Sequence, residues 1–336
     1  MRTLLPSVLQ LRKARSLLRA GLDRYLAFDL VGAEELFTQA VRTSRQAGST
    51  ATIVDADEHL YLVLRRRRRH VEAVPVLEEL ATGHSRLGGP GGDAASAWRN
   101  ELIATLGTLD RFAEAEPLCR AAVELAAARH GTASRQAAYA RVTQAWCLRH
   151  LNRWSEAAAV SRQALADLEA GSGAEAPVTG WALVGLASAL LHLGEPEAAE
   201  ECLLRAHGNW DRVGESALAD ATLSRLIDLY LAGERFAEAL ATSDRRRRLA
   251  RGRSGAQLPG RAQQLWDLDR HAFLLRAVGR EEEANRFETR AAFLRQAIES
   301  EPRPADGSGE DPEGPLFDCE PVADWAGAGT PVARAC

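Results

Sequence analysis

Eight histidines, five cysteines and seven tryptophans carry most of the chemical reach of this 336-residue chain. Their spacing points to contact rather than catalysis. There is no His-Glu-x-x-His pair, no Gly-x-Ser-x-Gly elbow and no Gly-rich loop ahead of Lys-Ser or Lys-Thr. Metallohydrolases, serine hydrolases and P-loop enzymes need those residue types at those offsets. His150 and His192 fall near equivalent ends of neighbouring helices, but no Cys or Asp stands with them to complete a tetrahedral zinc set. The expectation is a non-enzymatic chain with no catalytic residue, no metal site and no cofactor. Tryptophan interleaved with arginine is instead the composition of a binding hot spot, where rings and guanidinium groups share one desolvated surface.

Two arginine runs and one acidic segment add charge chemistry. Arg65-Arg66-Arg67-Arg68-Arg69 joins two predicted helices, and Arg245-Arg246-Arg247-Arg248 ends another, with Arg251 and Arg253 just beyond. Such a run is a solvated face, a phosphate or nucleic-acid footprint, or a dock for an acidic protein segment. A net charge of −4 weighs against nucleic acid. Residues 300–336 hold eight acids against Arg303 and Arg334, so the remainder is near +2. Residues 301–315, rich in Pro, Gly, Asp and Glu, are expected to be disordered. Beyond them Leu316-Phe317 and Asp324-Trp325 set apolar anchors among acids, the pattern of short binding motifs. A tethered motif reaches an effective concentration on the order of mM. The tail is therefore expected to compete for any groove of its own chain.

Composition narrows the class. Hydrophobic residues make up 46% and aromatics only 6%, which suits helices built from Ala and Leu better than sheets. Lys13 is the sole lysine, so nearly every cation is an arginine. Cys119, Cys147, Cys202, Cys319 and Cys336 are odd in number and include no Cys-x-x-Cys, as expected of a reducing compartment. Cys119 and Cys202 fit as small core residues, whereas Cys336 has no legible role. No run of 18 apolar residues is present, and Arg12, Lys13 and Arg15 lie on the wrong flank of Leu4–Leu9 for a signal peptide. A cytoplasmic location without membrane contact is expected.

The elements that must position these side chains repeat. Ala33, Ala73, Ala115, Ala157, Ala199, Ala239 and Ala284 are separated by 40, 42, 42, 42, 40 and 45 residues. Three of them close near-identical phrases: Asp110-Arg111-Phe112-Ala113-Glu114-Ala115, Asn152-Arg153-Trp154-Ser155-Glu156-Ala157 and Glu234-Arg235-Phe236-Ala237-Glu238-Ala239. Around them apolar residues recur at i, i+3 and i+4, as in Ala115, Leu118, Cys119, Ala122 and Ala126. Each unit thus reads as a helix A, a short turn and a helix B. The alanine is placed where B crosses A, and interaxial distances of about 8–10 Å leave little more room than a methyl. Pro75 and Pro117 are expected near the start of helix B, where a missing N–H is tolerated.

The pattern Leu102, Leu106, Phe112, Ala115 and Ala122 resembles the tetratricopeptide repeat. The 42-residue period and Glu114-Ala115-Glu116-Pro117-Leu118 are similar to the longer units of kinesin-light-chain-type proteins. HEAT and armadillo arrays share the period, but two clean helices joined by a Gly/Asp/Asn-Arg turn favour the tetratricopeptide reading. The sequence departs from it at Pro196 and Glu281, which replace the turn aromatic, and in having a single helix-A asparagine, Asn100. The resemblance implies an all-α, right-handed superhelical solenoid of about seven helix pairs over 14–299, with units starting near 14, 54, 96, 138, 180, 220 and 265. Residues 1–13 would be a lead-in and 300–336 the disordered tail. It also implies a peptide groove lined by Tyr139, Trp146, Arg149 and His150, then Trp181, Ser188 and His192, then Arg225 and Asp228, and last Trp266, Arg270 and Phe273. The expected function is a scaffold or adaptor that binds an acidic or aromatic peptide of another protein. The alternatives are a regulatory sensor for a signalling peptide or small ligand, and a nucleic-acid-binding array.

Overall fold

The computed structural model describes residues 4–171, 176–251 and 260–300. Among them are fourteen α-helices and no strand, arranged as seven successive pairs in two compact units. The first unit holds α1 (Leu4–Leu26) with α2 (Leu30–Ala47), α3 (Thr50–Arg66) with α4 (His70–Gly88), α5 (Asp93–Thr108) with α6 (Phe112–His130), and α7 (Arg135–His150) with α8 (Trp154–Ala170). The second holds α9 (Pro177–His192) with α10 (Pro196–Val213), α11 (Ser216–Ala232) with α12 (Phe236–Arg251), and α13 (Arg261–Ala277) with α14 (Glu281–Glu299). Within each unit every helix packs on the next in the chain. The helices A begin a few residues ahead of the expected starts. α1 also takes in residues 4–13 of the expected lead-in, because no breaker follows Pro6 and Leu, Gln, Arg and Lys are good helix formers.

The recurrent alanines lie where close packing leaves space only for a methyl. All seven are at most 1% exposed. Around them the first unit buries Phe37, Leu77, Trp98 and Ile103, and the second buries Leu203, Trp210 and Leu223. Pro75 and Pro117 stand deeper than expected, at the sixth residue of α4 and of α6, yet both helices run on without a break. Beyond the first four N–H groups each proline removes one intrahelical bond.

The A–B turns share one backbone device. The second residue after helix A has a left-handed φ: 62° at Phe28, 55° at Arg68, Asp110 and Glu234, 57° at Asn152, and 79° at Gly194 and Gly279. The next N–H then reaches back to the helix-A carbonyl five residues earlier. Arg111 N donates to Leu106 O at 2.9 Å, Arg153 N to Leu148 O at 2.9 Å and Arg280 N to Leu275 O at 2.8 Å. This is the Schellman closure, which satisfies carbonyls orphaned at a helix end. A left-handed conformation costs a non-glycine residue roughly 1–2 kcal/mol. Glu234→Gly is therefore expected to raise stability by about 1 kcal/mol in urea titration. A loss would show that the Glu234 side chain contributes more than its backbone strain removes.

An arginine follows the left-handed residue in five turns and caps helix B from outside. Arg69, Arg111, Arg153, Arg235 and Arg280 each donate through Nε to the glutamate three residues on, at 2.7–3.0 Å. The partners Glu72, Glu114, Glu156, Glu238 and Glu283 sit in the first turn of helix B, where the helix dipole favours a negative charge. Their arginines hold all five carboxyls below the ordinary glutamate value. These pairs are solvated, so each contributes little to stability. Three cap arginines also reach the preceding helix B. Arg69 pairs with Glu34, Arg153 lies 3.6 Å from Glu116, and Arg235 pairs with Glu200, which also accepts from the Tyr230 hydroxyl at 2.8 Å.

Candidate functional site

In the second unit α13 carries an exposed aromatic stripe. Trp266 and Phe273 are seven residues apart, two turns on one helical face, and remain 47% and 56% exposed. Arg270 lies between them with its guanidinium 4.2 Å from the centre of the Trp266 ring. The same guanidinium pairs with Asp228 of α11 and donates to the Ser224 carbonyl at 3.3 Å and hydroxyl at 3.2 Å. Its side chain is only 8% exposed, and burial pulls its pKa below the usual arginine value against the opposing Asp228 charge. Arg270 is thus spent inside the protein. It stacks on the indole and is paired with Asp228. Phe236 of α12 meets Phe273 edge-on at 6.1 Å.

The opposite side of α13 is locked. His271 is 2% exposed, receives or donates one hydrogen bond with Ser243 Oγ at 2.9 Å through Nδ1, and meets Phe287 edge-on at 4.5 Å. Burial, then the nearby Arg247 charge, pulls its pKa down to about 4, so it is neutral at pH 7. One guanidinium ties three helices together here: Arg246 of α12 reaches Asp220 of α11 at 3.0 Å and Asp267 of α13 at 2.6 Å. The exposed stripe therefore stands on a braced helix.

The other expected groove residues are distributed differently. Trp146 is 6% exposed, meets Phe112 edge-on at 5.1 Å and fills the space over Gly107, where a Cβ would come 2.1 Å from its ring. Arg149 is 8% exposed. Trp146 thus belongs to the packing between helix pairs, because the glycine on α5 lets the indole sink in. His150 is exposed and stacks on Phe112 with centroids 4.1 Å apart and planes 5° from parallel. Tyr139 is half-buried under the Arg135 guanidinium, 5.5 Å from its ring. Trp181 is half-buried and meets Trp210 edge-on at 5.3 Å. His192 is exposed and donates from Nδ1 to the Ser188 carbonyl at 2.9 Å. Arg225 is half-buried on α11, one turn before Asp228. Leu316, Phe317, Asp324 and Trp325 lie outside the described residues.

The arginine runs are largely internal braces. Arg65 lies 3.8 Å from Glu101, and Arg67 and Arg69 pair with Glu34. Arg66 covers the Tyr25 and Phe28 rings at 5.3 and 5.1 Å. Arg68 is exposed and supplies the left-handed turn residue. In the second run Arg246 is the three-helix brace and Arg247 covers the Phe287 ring at 4.2 Å, which leaves Arg245 and Arg248 as the exposed members. Charge already matched to carboxylates and rings is not an open phosphate footprint.

The sequence reading missed the cap arginines as brace residues, although Arg-x-x-Glu is visible in all five turns. It also missed Phe236 as a neighbour of Phe273 and Cys147 as a neighbour of Cys119. An open depression of about 710 Å³ in the first unit, between the ends of α4, α5 and α6, is bordered by His84 and Arg129. Those two are already paired with Glu58 at 2.8 Å and Asp93 at 3.1 Å.

No family model matches the sequence, and no curated protein matches it. Solved structures do match the fold. The BtubC (BKLC) protein from P. vanneervenii is 19% identical, with a TM-score of 0.52 over 77% of this chain and 94% of that one. A kinesin light chain from Podosopora anserina with nearly identical TPR-like repeats is 17% identical, with a TM-score of 0.52 over 60% and 96%. A tetratricopeptide repeat protein from Parabacteroides merdae is 15% identical, with a TM-score of 0.51 over 86% and 96%. No described helix is long and apolar enough to cross a membrane. With fourteen paired helices among the described residues and a period near 42 residues, the chain has the fold of the tetratricopeptide-repeat-like proteins.

Proposed function

We propose that the chain is a protein-interaction module that grips a short peptide of another protein across α11 and α13 of its second unit. The observation that carries this reading is the Trp266–Arg270–Phe273 stripe. Two large rings stay exposed on a helix whose other side is locked, and the buried Arg270 guanidinium, held by Asp228, stacks on the indole. Rigid aromatic area presented in this way loses little entropy on binding and anchors hot spots. The preferred ligand is a segment with Phe, Trp or Leu anchors flanked by acids, which Arg245 and Arg248 attract from a distance. The chain's own residues 312–328 have that composition and would compete in cis. The pairing within both arginine runs supports this reading over nucleic-acid binding.

A synthetic peptide copying residues 312–328 tests both parts by fluorescence anisotropy. Trp266→Ala and Phe273→Ala together are expected to weaken its binding at least 10-fold, the ordinary cost of losing a hot spot. Removing residues 301–336 should strengthen it by up to about 100-fold, if the tethered copy acts at mM concentration with an intrinsic Kd of about 10 μM. Equal affinity for the parent and the double variant would reject the stripe. Equal affinity with and without the tail would reject the competition alone.

A further inference from the structure

Helix α6 and helix α7 bring two thiols together inside the first unit. Cys119 Sγ and Cys147 Sγ are 3.3 Å apart, and both residues are fully buried. The pair stands out within the repeat itself. Cys119 is four residues past its central alanine, and Cys147 is ten residues ahead of the next one. The corresponding positions are Phe37 with Val63, Leu77 with Thr105, Ser161 with Ala189, Leu203 with Leu229, and Ser243 with Leu274. No other pair at these repeat positions sets sulfur opposite sulfur; Cys119 and Cys147 alone do so.

We propose that Cys119 and Cys147 are a modification site, where a low-molecular-weight disulfide oxidises the dithiol to an intrachain disulfide that staples α6 to α7. A disulfide needs sulfurs at about 2.05 Å, so closure asks each Sγ to move well under 1 Å or one to rotate slightly further. The step balances. One cysteine loses its proton and attacks the small disulfide R–S–S–R, forming a mixed disulfide and releasing R–S⁻. The second cysteine loses its proton and attacks the protein sulfur of that bond, expelling a second R–S⁻. Two protons pass to the leaving thiolates, so two electrons move from the cysteine pair to R–S–S–R, which is released as two molecules of R–SH.

Access comes from the weak half of α6. Its buried residues are Phe112, Ala115, Glu116 and Cys119, and none lies beyond Cys119. The stretch to His130 can leave its neighbours at low cost, because segments with few buried contacts open well below the global unfolding free energy. The hydrogen bond to Cys147, and then burial, push the Cys119 thiol well above the ordinary cysteine range. Reaction therefore proceeds through the opened helix, slowly, and the product re-closes into the core. This pair is independent of the α13 stripe, which lies in the other unit.

The test equilibrates the full chain in glutathione buffers stepped from fully reduced to fully oxidised, then quenches with acid, alkylates and maps peptides. The expected product is a Cys119–Cys147 linked peptide that dithiothreitol removes. The oxidised protein should also unfold about 5–10 °C higher in the transition of the first unit, as cross-linking a loop of this length predicts. Cys119→Ser and Cys147→Ser should each abolish the linked peptide and the shift. The proposal fails if both cysteines are recovered alkylated from the most oxidising buffer. It also fails if either is found joined only to glutathione, Cys202, Cys319 or Cys336, or if Cys119→Ser still shows the shift.

Discussion

Gly180→Ala is expected to lower the stability of the second unit by about 2 kcal/mol, although alanine is the better helix former. On an exposed helix the same change gains about 0.5–1 kcal/mol. Here the new Cβ would sit 2.4 Å from Cε2 and Cζ2 of Trp210 and 2.7 Å from its Cη2. The ring cannot retreat, since Trp210 is 1% exposed and meets the Trp181 ring edge-on at 5.3 Å. Overpacking of a rigid neighbour costs about 1–3 kcal/mol and occasionally more, which outweighs the propensity gain. Gly208→Ala, in the helix that carries Trp210, is the internal control. Nothing lies within 4 Å of its added Cβ, so it should stabilise by about 0.5–1 kcal/mol. Urea unfolding of both variants decides the matter. If the two move in the same direction, packing against Trp210 does not set the identity of residue 180.

The second large effect belongs to Asp57 of α3, a carboxyl that is 1% exposed. Burial pushes its pKa up to about 7, against a weaker pull from Arg45 and with a further push from Glu79. The sign follows from linkage. Below about pH 4 the carboxyl is protonated in both states and imposes no penalty. As pH rises towards 7 the unfolded chain ionises Asp57 and the folded chain does not, so stability is lost across that window and stays lost above it. Three pH units correspond to about 4 kcal/mol as an upper figure. Asp57→Asn should therefore be more stable than the parent at pH 8, by on the order of 2–4 kcal/mol, and close to it at pH 4. Parallel stability profiles for the two proteins from pH 4 to 8 would remove Asp57 from the account. His271 supplies a contrast in the second unit. Its lowered pKa means stability present above about pH 6.5 and lost as pH falls towards 4.

Much of the fold was legible because the repeat writes the same constraint many times. A single alanine between two helices is weak evidence, but seven at a nearly fixed period fixed the helix pairing, and all seven are buried. The turns were legible for the same reason: Asp110-Arg111, Asn152-Arg153 and Glu234-Arg235 each place a left-handed residue before a cap arginine. The groove residues were harder to assign. Trp146 and Trp266 are both tryptophans on a helix A, and periodicity treats them alike. What separates them is Gly107 on the preceding helix A, which opens a slot for one indole, and the Asp228–Arg270 pair, which holds the other at the surface. Gly107 and Asp228 both lie outside the helix that carries the tryptophan they govern. The arginine runs misled for a related reason. Charge density is visible along a chain, whereas the carboxylates that neutralise it, such as Glu34 and Asp220, stand about 25–35 residues earlier.

The contact of a cap arginine with the preceding helix B makes whole periods interchangeable. Excision of residues 70–111 would bring Arg69 directly before Phe112, recreating an Arg-Phe-Ala-Glu junction. Arg69 would keep Glu34 behind it and find Glu114 ahead in place of Glu72. The seam carries its own matching acceptors on both sides. Arrays joined in this way can lengthen or shorten by duplication and loss of units without inventing a new joint.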